Sequence, residues 1–465
     1  MFAVFIDQVS PRIQYVLEEL LERRLETELK IFTQTSEFIK DDSPVKIQYV
    51  SKQFESLPGF VVIQDSIMTE TTVNRYFDPY VSSFHLSGNS QESLLLKSKN
   101  NGLPDSEIQR LQNFLKKPFP CLFPNDSELG FDIFAMAFYF LSRYKEYQDF
   151  DADSFGRFSY KESLEFKWGY NVAPHVDIAF FHFLSALNQV SSIKDHGIIA
   201  SFDIDIAYQF KGRSWRRQLA SALRFPKLLW ERITAISNGG DPFDPRKTVF
   251  NFLQNTGVSS RIFWLCSKRV KGVNRQVKRM YEPFKNAIKD SAQISAVGLH
   301  PSFNMNPKST WEEEKKWLEH LLQANITHSR QHFVHLLFPD TYECLIELGI
   351  QHDWSMGYAE NVGFRAGTAY DFRWFNLAKN SQTPLTIHPF CIMDVTAKNY
   401  MSLSPIAAIE MGRSLKEMVF LFGGNFTFIA HNESLSERSG WEMWMPVFKS
   451  WASPDFQESA SMGDL

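Results

Sequence analysis

Apolar positions along the chain follow one rhythm in the first part and another in the second. The run Met1–Ile6 reads as a strand, and Ser10-Pro11 then opens a helix. Proline in the first helical turn loses nothing, because its missing N–H would have had no partner within the helix. Ile13, Val16, Leu17, Leu20 and Leu21 recur at the spacing of a single helix face. Runs at 46–50 and 60–64 predict further strands, and a helix is expected near 132–147. Its apolar stretch, 131–141, is broken by Asp132 and runs into Arg143 and Lys145. It is too short for the roughly 18 residues of a membrane helix and reads as a buried one. Residues 1–190 therefore read as a smaller α/β or α+β domain without a catalytic constellation.

The polar stretch 191–197 marks the expected boundary, and a second domain is read over 197–455. Here short apolar runs recur and nearly all lead into a titratable residue. The run 198–202 leads to Asp203 and Asp205, 294–299 to His300, and 325–327 to His328, Arg330 and His332. Likewise 348–350 leads to Asp353, 384–387 to His388 and 426–430 to His431, while 261–266 ends without such a residue. Helices fill the gaps. Ser309 and Glu312 make a capping box ahead of 311–323, Asp340 opens a helix that Gly349 closes, and Ser404-Pro405 opens another. Strands alternating with helices imply a parallel sheet. Polar residues at the carboxyl ends of its strands are the arrangement a β/α barrel uses at its active-site mouth. The fold class expected is α/β, with a C-terminal barrel of about seven strands.

Net charge is −4 and the pI near 6.3, so no basic field points to nucleic acid. The local cluster Arg213, Arg216 and Arg217 reads as a solvated face. Four widely spaced cysteines without a Cys-x-x-Cys unit indicate neither a disulfide framework nor a cysteine zinc site. The N-terminal residues lack a basic region and a small-residue cleavage site, so the cytoplasm is the compartment expected.

Asp203 and Asp205, two apart, share a strand face, so one could bind a metal while the other stays free as a base. An Asp pair that caps the next helix would have the same spacing. His300 follows a strand directly and suits either a ligand or a structural histidine, with Ser302 beside it able to cap the following turn. Arg330 could hold a carboxylate through paired bonds or form an ordinary ion pair. Arg365 sits in a loop between Gly363 and Gly367, Asp394 and Asn432 read as supporting groups, and His328 and His335 as surface or packing residues.

Taken in order, Ser201-Phe202-Asp203-Ile204-Asp205, Gly298-Leu299-His300-Pro301-Ser302, Ser329-Arg330-Gln331-His332, Gly363-Phe364-Arg365-Ala366-Gly367 and Phe428-Ile429-Ala430-His431-Asn432 resemble the polysaccharide deacetylase superfamily of the NodB-homology type. The resemblance covers about residues 197–450 and extends to long bacterial members with an N-terminal domain of unknown function. It implies a distorted (β/α)7 barrel and a metal-dependent hydrolase that removes N- or O-acetyl groups from a polysaccharide or its sugar precursor. It makes Asp203 the base, His431 the acid with His388 as competitor, and Arg330 the residue that orients the base. Asp205 and His300 become metal ligands, and Ser302, His332, Arg365 and His388 substrate-side positions. The divalent metal implied is zinc, with cobalt, nickel or manganese as alternatives. Trp264, Trp354, Tyr358 and Trp374 are candidates for sugar stacking or for the core.

The sequence departs from the family in one place. Asn304 stands where a second metal histidine is expected, four residues after His300. An amide oxygen is a poorer zinc ligand than imidazole. The remaining options are a smaller ligand set that includes Asn304, a ligand from His332 or another histidine, or a catalytically degenerate glycan-binding module.

Overall fold

The computed structural model describes residues 1–100, 103, 105–169, 172–190, 196–212, 233, 240–268, 274, 276–303 and 307–454. Residues 191–195 of the expected boundary, the basic cluster Arg213, Arg216 and Arg217, and Asn304 lie outside these.

Near the N-terminus, β1 (Phe2–Ile6), β2 (Leu29–Phe32), β3 (Val45–Val50) and β4 (Phe60–Ile63) form a parallel sheet in the order β2-β1-β3-β4. All five residues of β1 are buried, as a strand covered on both faces requires. Ser10 caps the helix Pro11–Leu17 by accepting from the Ile13 N–H at 3.1 Å. The apolar run becomes the helix Ile133–Leu141, buried throughout. Asp132, which interrupts the run, caps that helix through the Phe134 and Ala135 N–H groups. The apolar pattern did not reveal β2, nor β5 (Val81–Phe84) and β6 (Phe119–Leu122), which pair antiparallel.

The second part holds a curled nine-stranded sheet. Its strands are β7 (His196–Ile204), β8 (Ser259–Leu265), β9 (Ala296–His300), β10 (His328–Ser329), β11 (His352–Met356), β12 (Phe372–Asn376), β13 (Ser381–Pro389), β14 (Ile392–Met393) and β15 (Gly424–His431). The order is β12-β13-β11-β10-β9-β8-β7-β15-β14, parallel except where β12 meets β13. Between β13 and β14 the chain passes from one side of the curl to the other. Phe390 N–H bonds to Met356 O beside β13, and Cys391 N–H to Thr427 O on β15, each at 3.0 Å.

Several local expectations shift: β10 is His328–Ser329 rather than 325–327, and Ile294 ends a helix ahead of β9. β11 starts at His352, because Leu348 and Gly349 belong to the C-terminal turn of the helix Asp340–Glu347, with Gly349 at φ +76°. The helix Pro307–Leu322 begins before Ser309, so the supposed capping box lies inside it and Glu312 pairs with Lys316 at 2.6 Å. Ser404 does cap Pro405–Phe422. Trp264, Trp354, Tyr358 and Trp374 are all buried, which makes them core residues.

The two parts share one continuous apolar core. Phe375 of β12 packs on Tyr15 at 5.0 Å and on Phe138 at 5.1 Å. No helix among the described residues is long and apolar enough to cross a membrane.

Candidate metal centre

The carboxyl ends of β7, β9, β10 and β15 converge. Asp205 follows β7, His300 ends β9, and His332 lies just beyond β10. His300 Nε2 is 3.1 Å from Asp205 Oδ1, and His332 Nε2 is 3.3 Å from Asp205 Oδ2. One donor atom from each side chain lies within 4.8 Å of the others. Donors about 2.0–2.1 Å from a tetrahedral zinc are spaced by roughly 3.3 Å, the length of the two edges between imidazole and carboxylate. Two imidazoles and a carboxylate also suit zinc and the neighbouring divalent metals, and three protein ligands leave a position open.

The far side of each imidazole is already engaged. His300 Nδ1 lies 2.6 Å from Arg330 O, and His332 Nδ1 lies 3.3 Å from Asn274 Oδ1. Such contacts hold Nδ1 as the protonated nitrogen and leave Nε2 for a metal. Burial disfavours the charge on Asp205, but His332 and His300 outweigh it and hold the carboxyl well below its usual pKa. Burial likewise opposes protonation of His300, and Asp203 and Asp205 overcome it to raise that imidazole. The pocket thus favours positive charge, which protons or a divalent cation can supply.

Asp203 is buried, and its Oδ1 has no hydrogen-bond partner among the described residues. Its Oδ2 lies 3.8 Å from Nη1 of Arg330. That guanidinium is fully buried between Phe263 and Phe390, with Nη2 donating to Ser201 Oγ at 2.7 Å. His431 stands next to Asp203 across the β7–β15 register, its Nε2 3.9 Å from Asp205 Oδ2. Asp394 accepts from its Nδ1 at 2.9 Å and from its backbone N–H at 2.7 Å. Burial works against protonating His431, yet Asp394, helped by Asp205, raises its pKa well above the usual value.

Other candidates lie elsewhere. Ser302 is buried, its N–H and Oγ both bound by Glu314 of the helix Pro307–Leu322, so it ties strand to helix. Arg365 is buried against Glu146 of the N-terminal part, at 2.9 and 2.5 Å. His388 stacks on Trp354 at 4.0 Å and is bound by Asp371 at 2.9 Å and His352 at 3.0 Å, whereas His431 is the one beside Asp205. His328 packs on His352, and His335 on Phe303. Asn432 donates to Ile206 O and Phe243 O, a supporting role.

Asn274 and Glu433 carried no signal in the sequence. Asn274 becomes visible through its bonds to His332 and Phe303. Glu433 is pushed up to about 7, chiefly by burial.

Residues 2–192 match a family described as one of unknown function (DUF7033). Comparison with curated proteins gives no match. Among solved structures, a Mycobacterium smegmatis protein described as a polysaccharide deacetylase aligns with 14% identity and a TM-score of 0.36, over 56% of this chain and 85% of that one. A polysaccharide deacetylase from Bacillus cereus aligns with 9% identity and a TM-score of 0.28, over 55% and 86%. PuuE allantoinase aligns with 10% identity and a TM-score of 0.33, over 55% and 82%.

Proposed function

We propose that this chain is a metal-dependent hydrolase that removes acetyl groups from a glycan or a sugar precursor, working from a distorted (β/α)7 barrel over residues 197–455 packed against an N-terminal domain over 1–190. The observation that carries the reading is the pairing of unlike groups around one three-ligand set. Asp203 offers a buried carboxylate oxygen without a partner, and His431 offers an imidazole backed by a carboxylate.

A divalent metal on Asp205, His300 and His332 would supply Lewis acidity and lower the pKa of a bound water to about 7. Asp203 Oδ1 takes the proton as water adds to the acetyl carbonyl carbon, while Arg330 holds the other carboxylate oxygen. As the carbonyl reforms, the bond from carbon to the sugar nitrogen or oxygen breaks and acetate leaves. His431 Nε2 donates a proton to the departing atom, and Asp394 keeps the imidazole aimed and stabilises its charged form.

Asn304 favours the alternative, a degenerate glycan-binding module. His332 beside Asp205 supplies an imidazole from the next strand and tips the balance towards the enzyme.

Acetate release from N- and O-acetylated oligosaccharides by the zinc-loaded protein tests the proposal. Asp203→Ala and His431→Ala should each lower turnover by about 10²-fold or more, with zinc content unchanged. Unaltered turnover in either variant removes that residue from the scheme. A fully loaded protein that releases no acetate from either class leaves the binding module as the reading.

A further inference from the structure

We propose that the N-terminal part clamps the metal centre: Phe155 and Arg157 fix the turn that carries His332 and so set the affinity of the site for its metal. The inference rests on the metal centre proposed above.

His300 is a ligand candidate at the end of a strand, with its Nδ1 2.6 Å from a main-chain oxygen. His332 has less local support. It begins a short turn, and its bond to Asn274, at 3.3 Å, is longer than the one that holds His300. The two residues after it, Phe333 (φ +61°) and Val334 (φ +54°), both take the left-handed conformation. For non-glycine residues this costs about 1–2 kcal/mol each, and for a β-branched valine it is a true outlier. Such a backbone persists only where its surroundings over-determine it.

Those surroundings come from far away in sequence. The Phe333 ring stacks on His332 at 4.3 Å and on Phe155 at 5.2 Å, the latter with planes only 16° apart. Phe303 meets it edge-on at 5.8 Å. Phe333 O accepts from Nη1 of Arg157 at 2.8 Å. Arg157 is itself immobilised: Asp153 accepts from its Nε at 2.7 Å, and Tyr400 Oη lies 3.3 Å from its Nη2.

The turn that presents these residues is equally defined. Ala152 bridges to Phe158, Asp153 N–H bonds to Arg157 O at 3.0 Å, and Gly156 takes φ +76° between them. The Phe155 ring thus holds the Phe333 side chain, and the Arg157 guanidinium its main-chain oxygen. A histidine held in place loses less freedom on ligating a metal than one on a free turn. Supporting groups of this kind typically change metal affinity 10–100-fold when removed.

The test measures zinc affinity of the full chain by competition with a chromophoric chelator, for the parent, Phe155→Ala and Arg157→Lys. Ser159→Ala is the control, because Ser159 bonds across the same interface to Glu360 but does not touch the 332–334 turn. Phe155→Ala should weaken zinc binding about 10-fold and Arg157→Lys by about 10–100-fold, with Ser159→Ala unchanged. Phe155 is 37% exposed, so its variant should fold even if Arg157→Lys does not. A purely structural role would lower the unfolding temperature and leave the zinc affinity of the folded protein intact. Zinc affinity within about twofold of the parent in Phe155→Ala overturns the clamp. A parent that binds no zinc overturns the centre and the clamp together. A parent that binds zinc but releases no acetate overturns only the hydrolase.

Discussion

Replacing His332 with alanine isolates the step on which the metal centre depends. Zinc peptide sites with four ligands bind with about 10–16 kcal/mol, which is about 2.5–4 kcal/mol per ligand. Losing one imidazole from the Asp205, His300 and His332 set should therefore weaken zinc binding by about 10²–10³-fold, at 1.4 kcal/mol per decade. The fold should tolerate the change. Asn274 Oδ1 keeps the Phe303 N–H at 3.0 Å, and Asp205 keeps His300 at 3.1 Å, so neither is left without a partner. Chelator competition at neutral pH measures the effect, with Asn304→Ala as the paired control. Asn304 has the spacing at which the family it resembles places a ligand, but under the proposal His332 takes that role, so Asn304→Ala should leave affinity unchanged. Zinc binding by His332→Ala within about threefold of the parent would refute the reasoning, and a weakened Asn304→Ala would put the ligand at the family's position instead.

Two further predictions concern stability. Glu146 is buried between Arg143 at 2.8 Å and Arg365 at 2.5 Å, so Glu146→Ala leaves two buried guanidinium groups without their carboxylate. That should lower the unfolding free energy in urea by about 3–5 kcal/mol, and a loss below about 1 kcal/mol would show that the interior network contributes little. His182, stacked on Phe84 at 4.7 Å, has its pKa lowered to about 4 by burial. The unfolded imidazole titrates near 6.5, so the unfolded chain takes up the proton first and stability falls as pH drops from about 6.5 towards 4. Allowing for partial exposure, the contribution lost between pH 7 and pH 5 is about 1–2 kcal/mol, and His182→Phe should remove that share of the parent's pH dependence. Identical pH dependence in parent and variant would rule His182 out as a source.

Much of the candidate site is legible in the residue pattern alone. A strand pattern is local: alternation and length place a strand, and the residue that follows it sits at the strand's carboxyl end. That suffices to bring Asp203, Asp205, His300, Arg330 and His431 to one end of a parallel sheet. Caps are local too, which is why Ser10-Pro11 and Ser404-Pro405 open helices where expected. Ser309 fails because the helix had already begun, and a capping motif inside a helix has no free N–H group to satisfy.

The choice among partners distant in the chain belongs to the tertiary structure. His332 meets Asp205 because β10 lies beside β9 and a left-handed turn at Phe333 and Val334 follows at once, neither of which residue spacing encodes. The family resemblance makes Arg365 a substrate-side residue, yet it turns inward to a carboxylate 219 residues away. Asn274, Asp394 and Arg157 acquire their roles in the same way, from what the curled sheet and the packed N-terminal part bring within reach. Hydrophobic periodicity determines which face and which end a residue occupies. Ligand sets and ion pairs require distances of about 3–4 Å between separate elements, and only the packing of those elements decides them.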